Sequence, residues 1–268
     1  MRRITAGVAA GLVLLAPLPA RAAATTAIAD PVAALRAQVV PGRGVTVSLI
    51  IRTSPDGRRI ATTRTDRVVG FRKGGVVETD DTTTFYSSIS SEGLKEDTLF
   101  PSLLIRVKGA SYASGGELIG RLPLDKKWVR SREPRSGAAD GTVDLFRPGT
   151  LRALLATASS KGSRSARGTI VASRIPGRPF EGWTGRGEKV AWALWFDAEG
   201  RVTRLATATS RHADGGPEPR LSSDQRFTGW GARVTVQPPP ENLVIEAEEL
   251  PEADSSPEEL PETVEVLS

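Results

Sequence analysis

The chain reads as an α+β protein built on one antiparallel sheet of about ten strands, with two helices packed against it. Three observations predict this. Short runs with period-two alternation dominate, hairpin turns connect them, and only two segments carry helical periodicity. Antiparallel strands in that number curl or close to protect their edges.

Asp30-Pro31 opens the first helix, about Val32 to Val39, with Asp30 as cap, proline in the first turn and Pro41-Gly42 as the stop. Val45, Val47, Leu49 and Ile51 alternate with polar residues and form a strand. Ser54-Pro55-Asp56-Gly57 is a turn, and the run to Thr65 returns as the hairpin partner. Val68 to Phe71 and Gly75 to Asp80 are expected to be two more short strands, and Thr82 to Gly93 a polar loop or edge strand. Leu103 to Val107, Ser111 to Ala113 and Lys127 to Val129 form a meander.

Pro148-Gly149-Thr150 begins the clearest helix, Leu151 to Ala158, with Leu151, Leu154 and Leu155 sharing a face and Gly162 as its end. Gly168 to Ile175 is a strand, and Pro176 to Gly187 a long loop carrying Phe180 and Trp183. Residues 190–209 form a hairpin. Val190, Trp192, Leu194 and Phe196 share one face, while Trp195 lies on the other. Asp197-Ala198-Glu199-Gly200 suits a type I turn with Gly200 left-handed, which sets Phe196 opposite Val202 and Trp195 opposite Thr203. After a loop around Asp214, a last strand is expected over Arg233 to Val236, stopped by Pro238, and Leu243 to Ile245 finishes the fold.

Residues 1–22 have the build of a secretory signal peptide. A charged start at Arg2 and Arg3 precedes an apolar run, Ile4 to Ala16, too short to span a bilayer at about 20 residues, and then Ala20-Arg21-Ala22. Pro17 and Pro19 argue against extension into an anchor. The chain has no cysteine, which excludes disulfides, thiol catalysis and a lipobox. A secreted or extracytoplasmic envelope protein without a lipid anchor is expected. Residues 30–245 form the domain, and 246–268 an acidic tail expected to be disordered. From Glu241 onward nine Glu and one Asp stand without a single Lys or Arg, whereas the body before it is strongly basic. Such a body attracts anionic membrane or wall polymers, or reflects an arginine-rich composition.

Leu122-Pro123-Leu124-Asp125-Lys126-Lys127-Trp128-Val129, the helix from Pro148, Trp195-Phe196-Asp197 through Val202, and Phe227-Thr228-Gly229-Trp230-Gly231 follow one another in an order and spacing of their own. Together they resemble the LppX/LprG type of LolA-like envelope lipoproteins of actinobacteria. The resemblance is good over residues 100–240 and loose over 30–100. It implies a strongly curved sheet, a half-barrel, with helices on its concave face around a cavity that binds lipid. On that reading Val47, Leu49, Trp128, Leu151, Leu154, Leu155, Trp192, Leu194 and Phe196 line the cavity, and Phe180 and Trp183 form its lip. Trp128, Trp183, Trp192, Trp195 and Trp230 are the aromatic candidates for such a wall, and the alternative for them is an ordinary core, since indoles bury large area in any sheet–helix interface. The missing lipobox and the acidic tail depart from the family.

Chemistry is sparse. His212 is the only histidine, in a polar stretch, and no nucleophile elbow, zinc-protease, calcium-loop or phosphate-loop motif is present. Gly185-Arg186-Gly187 precedes a strand and offers no helix N-terminus. Asp80-Asp81 reads as a structural turn, and Ser159-Ser160-Lys161 as a helix end. No cofactor, metal or catalytic residue is expected. The expected partner is a lipid or hydrophobic small molecule, with an anionic membrane surface as a second, no nucleic acid, and a monomeric chain. The alternative is a non-enzymatic interaction or regulatory module with a closed core.

Overall fold

The computed structural model describes residues 30–54, 60–73, 77–88, 101–132, 143–177, 188–210 and 220–251. The leader at 1–22, Phe180, Trp183, the Gly185 loop, His212 and most of the acidic tail lie outside the described residues. Among the described residues no helix is long and apolar enough to cross a membrane.

Every strand among the described residues joins a single open sheet. From one edge to the other the order is β12 (Val244–Glu246), β6 (Trp128–Ser131), β5 (Ala110–Gly115), β4 (Ser102–Val107), β3 (Val77–Ser88), β2 (Ile60–Phe71), β1 (Arg43–Ser54), β11 (Arg220–Arg233), β10 (Val202–Ser210), β9 (Lys189–Phe196), β8 (Ser165–Val171) and β7 (Ala158–Lys161). The chain thus runs outward from β1 in one meander and returns through a second, whose last strand closes against the first. Among the described residues the sheet has twelve strands rather than about ten. It is not purely antiparallel, because β12 runs parallel to β6.

Both helices lie on one face. In α1 (Pro31–Gln38) Asp30 accepts a hydrogen bond from the Val32 amide at 2.9 Å, as its position before proline predicts, and Leu35 is buried. α2 (Pro148–Ala156) buries Leu151 and Leu154 in the same core. It ends at Ala156, two residues before the expected Ala158 and short of Gly162. Thr157 caps it, donating from Oγ1 to the Leu154 carbonyl at 2.9 Å. Ser159 to Lys161 then leave as the edge strand β7, because Thr157 and the close approach of Gly168 turn the chain back along β8.

Three other expectations are corrected. Val68 to Phe71 is not a separate strand but the end of the twelve-residue β2. Thr82 is not in a loop: β3 is an interior strand between β2 and β4, and Asp80-Asp81 lies in its middle rather than in a turn. Polar side chains hold it there because they pair across strands. The Thr65 and Thr83 hydroxyls bond at 3.0 Å, and Asp81 accepts from Arg67 Nε at 2.9 Å. Finally, β11 ends at Arg233, where the last strand was expected to begin. Its core-facing positions alternate Leu221, Ser223, Gln225, Phe227. The two polar members hid the period, and both find partners, Ser223 in Thr207 at 2.7 Å and Gln225 in the Val143 carbonyl at 3.2 Å.

After β11 the chain crosses the other face of the sheet as an irregular strap, residues 234–240, followed by a 3-10 turn, Glu241–Leu243, to reach β12. Gly44 and Gly70 make room for it, since a Cβ on Gly70 would lie 3.1 Å from Val234 Cγ1. Val234, Val236 and Val244 gather there with Ile105, Val107, Tyr112 and Trp128 in a second, smaller core. The folded chain continues past residue 245. Glu246 belongs to β12 and receives Arg130 Nε at 2.7 Å, and Ala247–Glu249 form a 3-10 turn with a capping box.

Candidate functional site

The helix-covered face over β8, β9, β10, β11 and β1 is an apolar wall. Strand alternation assembles it: Leu194 stands opposite Leu205, Phe196 opposite Val202, and Val47 opposite Phe227. The hairpin turn forms as its sequence predicts. Gly200 has φ 80° and donates to the Asp197 carbonyl at 3.2 Å. The register beyond it does not. A bulge between Val202 and Arg204 sets Trp195 opposite Arg204, not Thr203. The physical reason is the odd spacing of Val202 and Leu205, both of which are buried; an extra residue is needed to turn both inward. Trp195 stays on the face away from the helices.

Of the residues nominated from sequence, Val47, Leu49, Leu151, Leu154, Trp192, Leu194 and Phe196 come together in this one core, each 0–4 % exposed. Leu155 is half-buried at its margin. Trp128 is not with them; it faces the other way, in the smaller core under the strap. Trp192 donates from Nε1 to Thr157 Oγ1 at 3.3 Å, which fixes the end of α2 over β9.

An aromatic cluster closes one end of the wall; the sequence singles out its Trp230 but not the three phenylalanines around it. Phe71, Phe146, Phe227 and Trp230 have ring centres 5.5–6.5 Å apart, with Trp230 stacked on Phe227 at 5.8 Å. Trp230 reaches it because β11 bulges opposite Gly44 to Thr46, with Gly229 and Gly231 at φ 66° and 81°. Its Nε1 donates to the Val202 carbonyl at 2.7 Å. The glycines flanking this tryptophan are the signal that could have revealed it.

Beyond β1 the same face turns polar. Arg67 pairs with Val47 across strands, and Asp81 with Arg67. Asp81, 4 % exposed at its side chain, lies between Arg67 Nε at 2.9 Å and Arg106 Nη1 at 3.2 Å. Asp80, pointing to the opposite face, has its carboxyl held above the ordinary range, first by partial burial and then by the charge of Asp81. Two hydroxyls in the apolar region, Thr150 Oγ1 on α2 and Thr209 Oγ1 on β10, are buried with no hydrogen-bond partner. Among the described residues no three His, Asp or Glu side chains converge as a metal site would require.

No protein-family model matches this chain, and no curated protein matches it. Among solved structures it is similar to a LolA-superfamily protein from Nitrosomonas europaea, at 13% identity over 78% of this chain and 96% of that one, with a TM-score of 0.25. It is also similar to a DUF1329-family protein from Desulfovibrio piger, at 8% identity over 79% and 96% of the two chains, again with a TM-score of 0.25. Neither carries the LppX/LprG name, and at these TM-scores the reading of this chain rests on its own sheet and helices.

Proposed function

We propose that this chain is an exported, non-enzymatic envelope protein that takes up a lipid or other hydrophobic ligand against the helix-covered face of its sheet. In this reading the sheet is a half-barrel of LolA-like type and α1 and α2 are its lid. The observation that carries the proposal is the mismatch between wall and lid. The apolar wall is five strands wide, about 19 Å at 4.8 Å per strand. The two helices over it are 8 and 9 residues long, about 12 and 14 Å. Helices that short have little stability of their own and stay in place through their packing. Thr150 and Thr209 lower the cost of lifting the lid, since each hydroxyl unpaired in the closed state regains water when it opens. An acyl chain entering would gain about 0.8 kcal/mol per buried CH₂.

A second reading, an interaction module with a closed core, is favoured by one observation. A side chain lining a ready-made void stays partly open to solvent, and Val47, Leu49, Leu151, Leu154, Trp192, Leu194 and Phe196 are at most 4 % exposed. The carrier reading therefore requires the lid to move. Native mass spectrometry of the purified protein, followed by titration with a fluorescent fatty acid, separates the two. A bound lipid mass, or saturable uptake lost on cross-linking α2 to β8, supports the carrier. A ligand-free mass with no uptake leaves the closed module.

A further inference from the structure

The sheet face turned away from the helices is divided. Over β3 to β5, and over the ends of β1 and β2 at Gly44 and Gly70, the strap covers it. Over β8, β9, β10, β11 and the rest of β1 and β2 no described element does, and this uncovered half has a distinct chemistry. Register lays Trp195, Arg204, Arg226 and Ser48 in one cross-strand row. Arg167, Ala193, Ala206, Asp224, Ile50 and Arg64 form the next, and Ala191, Ala208, Ser222 and Arg52 a third. With Lys189 at the end of β9 and Arg220 at the start of β11, seven basic side chains share this face with two carboxylates, Asp66 and Asp224.

Asp224 is taken up by Arg204 through two hydrogen bonds of 2.8 and 2.7 Å, and Asp66 lies 3.3 Å from Arg64 Nε. Arg226 reaches the already engaged Asp224 only at 3.9 Å. Arg52, Arg167, Lys189 and Arg226 are exposed, and the alanines between them leave the surface low.

We propose that this face docks the protein on a membrane surface rich in anionic headgroups. The charges are spread across five strands, over about 19 Å, and do not converge on a point. A lone phosphate would satisfy only one of them, whereas a surface of many single negative charges satisfies all together. Trp195, half-buried beneath Arg204, presents at the same face the amphipathic ring that settles at headgroup level. An acidic polypeptide, including residues 252–268 of this chain, would compete for the same charges. Docking does not depend on ligand uptake, so the two proposals fail separately.

The test is co-sedimentation of the full chain with phosphatidylcholine vesicles, with and without phosphatidylglycerol. Binding is expected only with phosphatidylglycerol, weakening as salt rises. Reversing two exposed charges, Arg167→Glu with Arg226→Glu, is expected to lower it about tenfold or more. Reversing Lys108 and Lys127, exposed residues elsewhere on the body, should leave it nearly unchanged. A full-length variant with Glu258, Glu259, Glu262 and Glu265 changed to Gln covers competition by the acidic segment. If only that variant binds, and the Arg167/Arg226 reversal abolishes its binding, the face is confirmed. No binding by either chain overturns the proposal, and so does an equal loss in the Lys108/Lys127 control. Circular dichroism of each variant guards against misfolding, with Arg167→Gln and Arg226→Gln as milder substitutes.

Discussion

The guanidinium carbon of Arg204 lies 4.6 Å from the centre of the Trp195 ring. The contact exists because Thr203 is bulged out, which puts Arg204 opposite Trp195 and returns Leu205 to the core. Asp224 then holds the guanidinium from the other strand. Arg204 is 39 % exposed at its side chain, so the ion pair itself contributes little. Trp195→Ala is expected to cost about 1–2 kcal/mol, from the lost cation–π contact and partial burial, in urea denaturation. Deleting Thr203 is expected to be tolerated. It leaves Val202 and Leu205 two positions apart, both still on the core face and opposite the same partners, so a cooperative unfolding transition should persist.

The two neighbouring aspartates of β3 should respond in opposite ways. Asp81→Asn leaves Arg67 and Arg106 without their buried carboxylate and is expected to cost about 3–5 kcal/mol. Asp80→Asn is expected to stabilise at neutral pH. The Asp80 carboxyl has a raised folded-state value, so the folded chain favours its protonated form. That favourable contribution is complete below the unfolded value of 3.8 and is lost as pH rises through the folded value. Denaturation curves of wild type and Asp80→Asn should therefore coincide most closely in acid and separate as pH rises, the variant being the more stable.

The lid over the apolar wall makes a third pair. Leu154 is fully buried, and Leu154→Ala is expected to cost about 2–5 kcal/mol. Thr150→Val removes a buried hydroxyl that has no partner and is expected to be neutral or stabilising by about 1 kcal/mol. If the lid must lift for uptake, Thr150→Val should also weaken fatty-acid binding, measured by fluorescence titration. Equal or tighter binding by that variant would count against a moving lid.

Arg130 anchors the end of the strap by binding Glu241 at 2.8 Å and Glu246 through both Nε and Nη2. The hydrogen bonds from Arg130 hold the Glu246 carboxyl below its ordinary value. A lowered folded value means stability that is present above the unfolded value of 4.5 and lost as pH falls through the folded one. Glu246→Gln should thus be less stable than wild type at neutral pH, with the difference shrinking in acid. Hydrogen exchange at neutral pH should locate the loss in residues 234–250.

Much of the fold was legible in local pattern. α1, α2, β1, the meander of β4 to β6 and the turn at Gly200 follow from capping residues, alternation and glycine, and the residues nominated on β1, α2 and β9 do meet in one core. β3 past Asp80 and β11 were not legible, because Asp81, Ser223 and Gln225 occupy inward positions where apolar residues were sought. Their polarity is satisfied by Arg106, Arg67, Thr207 and the Val143 carbonyl, partners far away in sequence. Trp128 was placed with the wrong face for a similar reason: one strand's alternation defines two faces without saying which one the helices cover.

The sequence by itself determined which segments are strands and helices where the apolar period is clean, the absence of thiol chemistry, and the opposed charges of body and tail. Tertiary structure alone decided the bulge at Thr203, the inward turn of Trp230, the parallel seat of β12 and the strap that splits one face of the sheet into a covered and an uncovered half. Local propensity acts over a few residues, whereas these features arise when strands distant in the chain compete to bury apolar side chains and to pair polar ones.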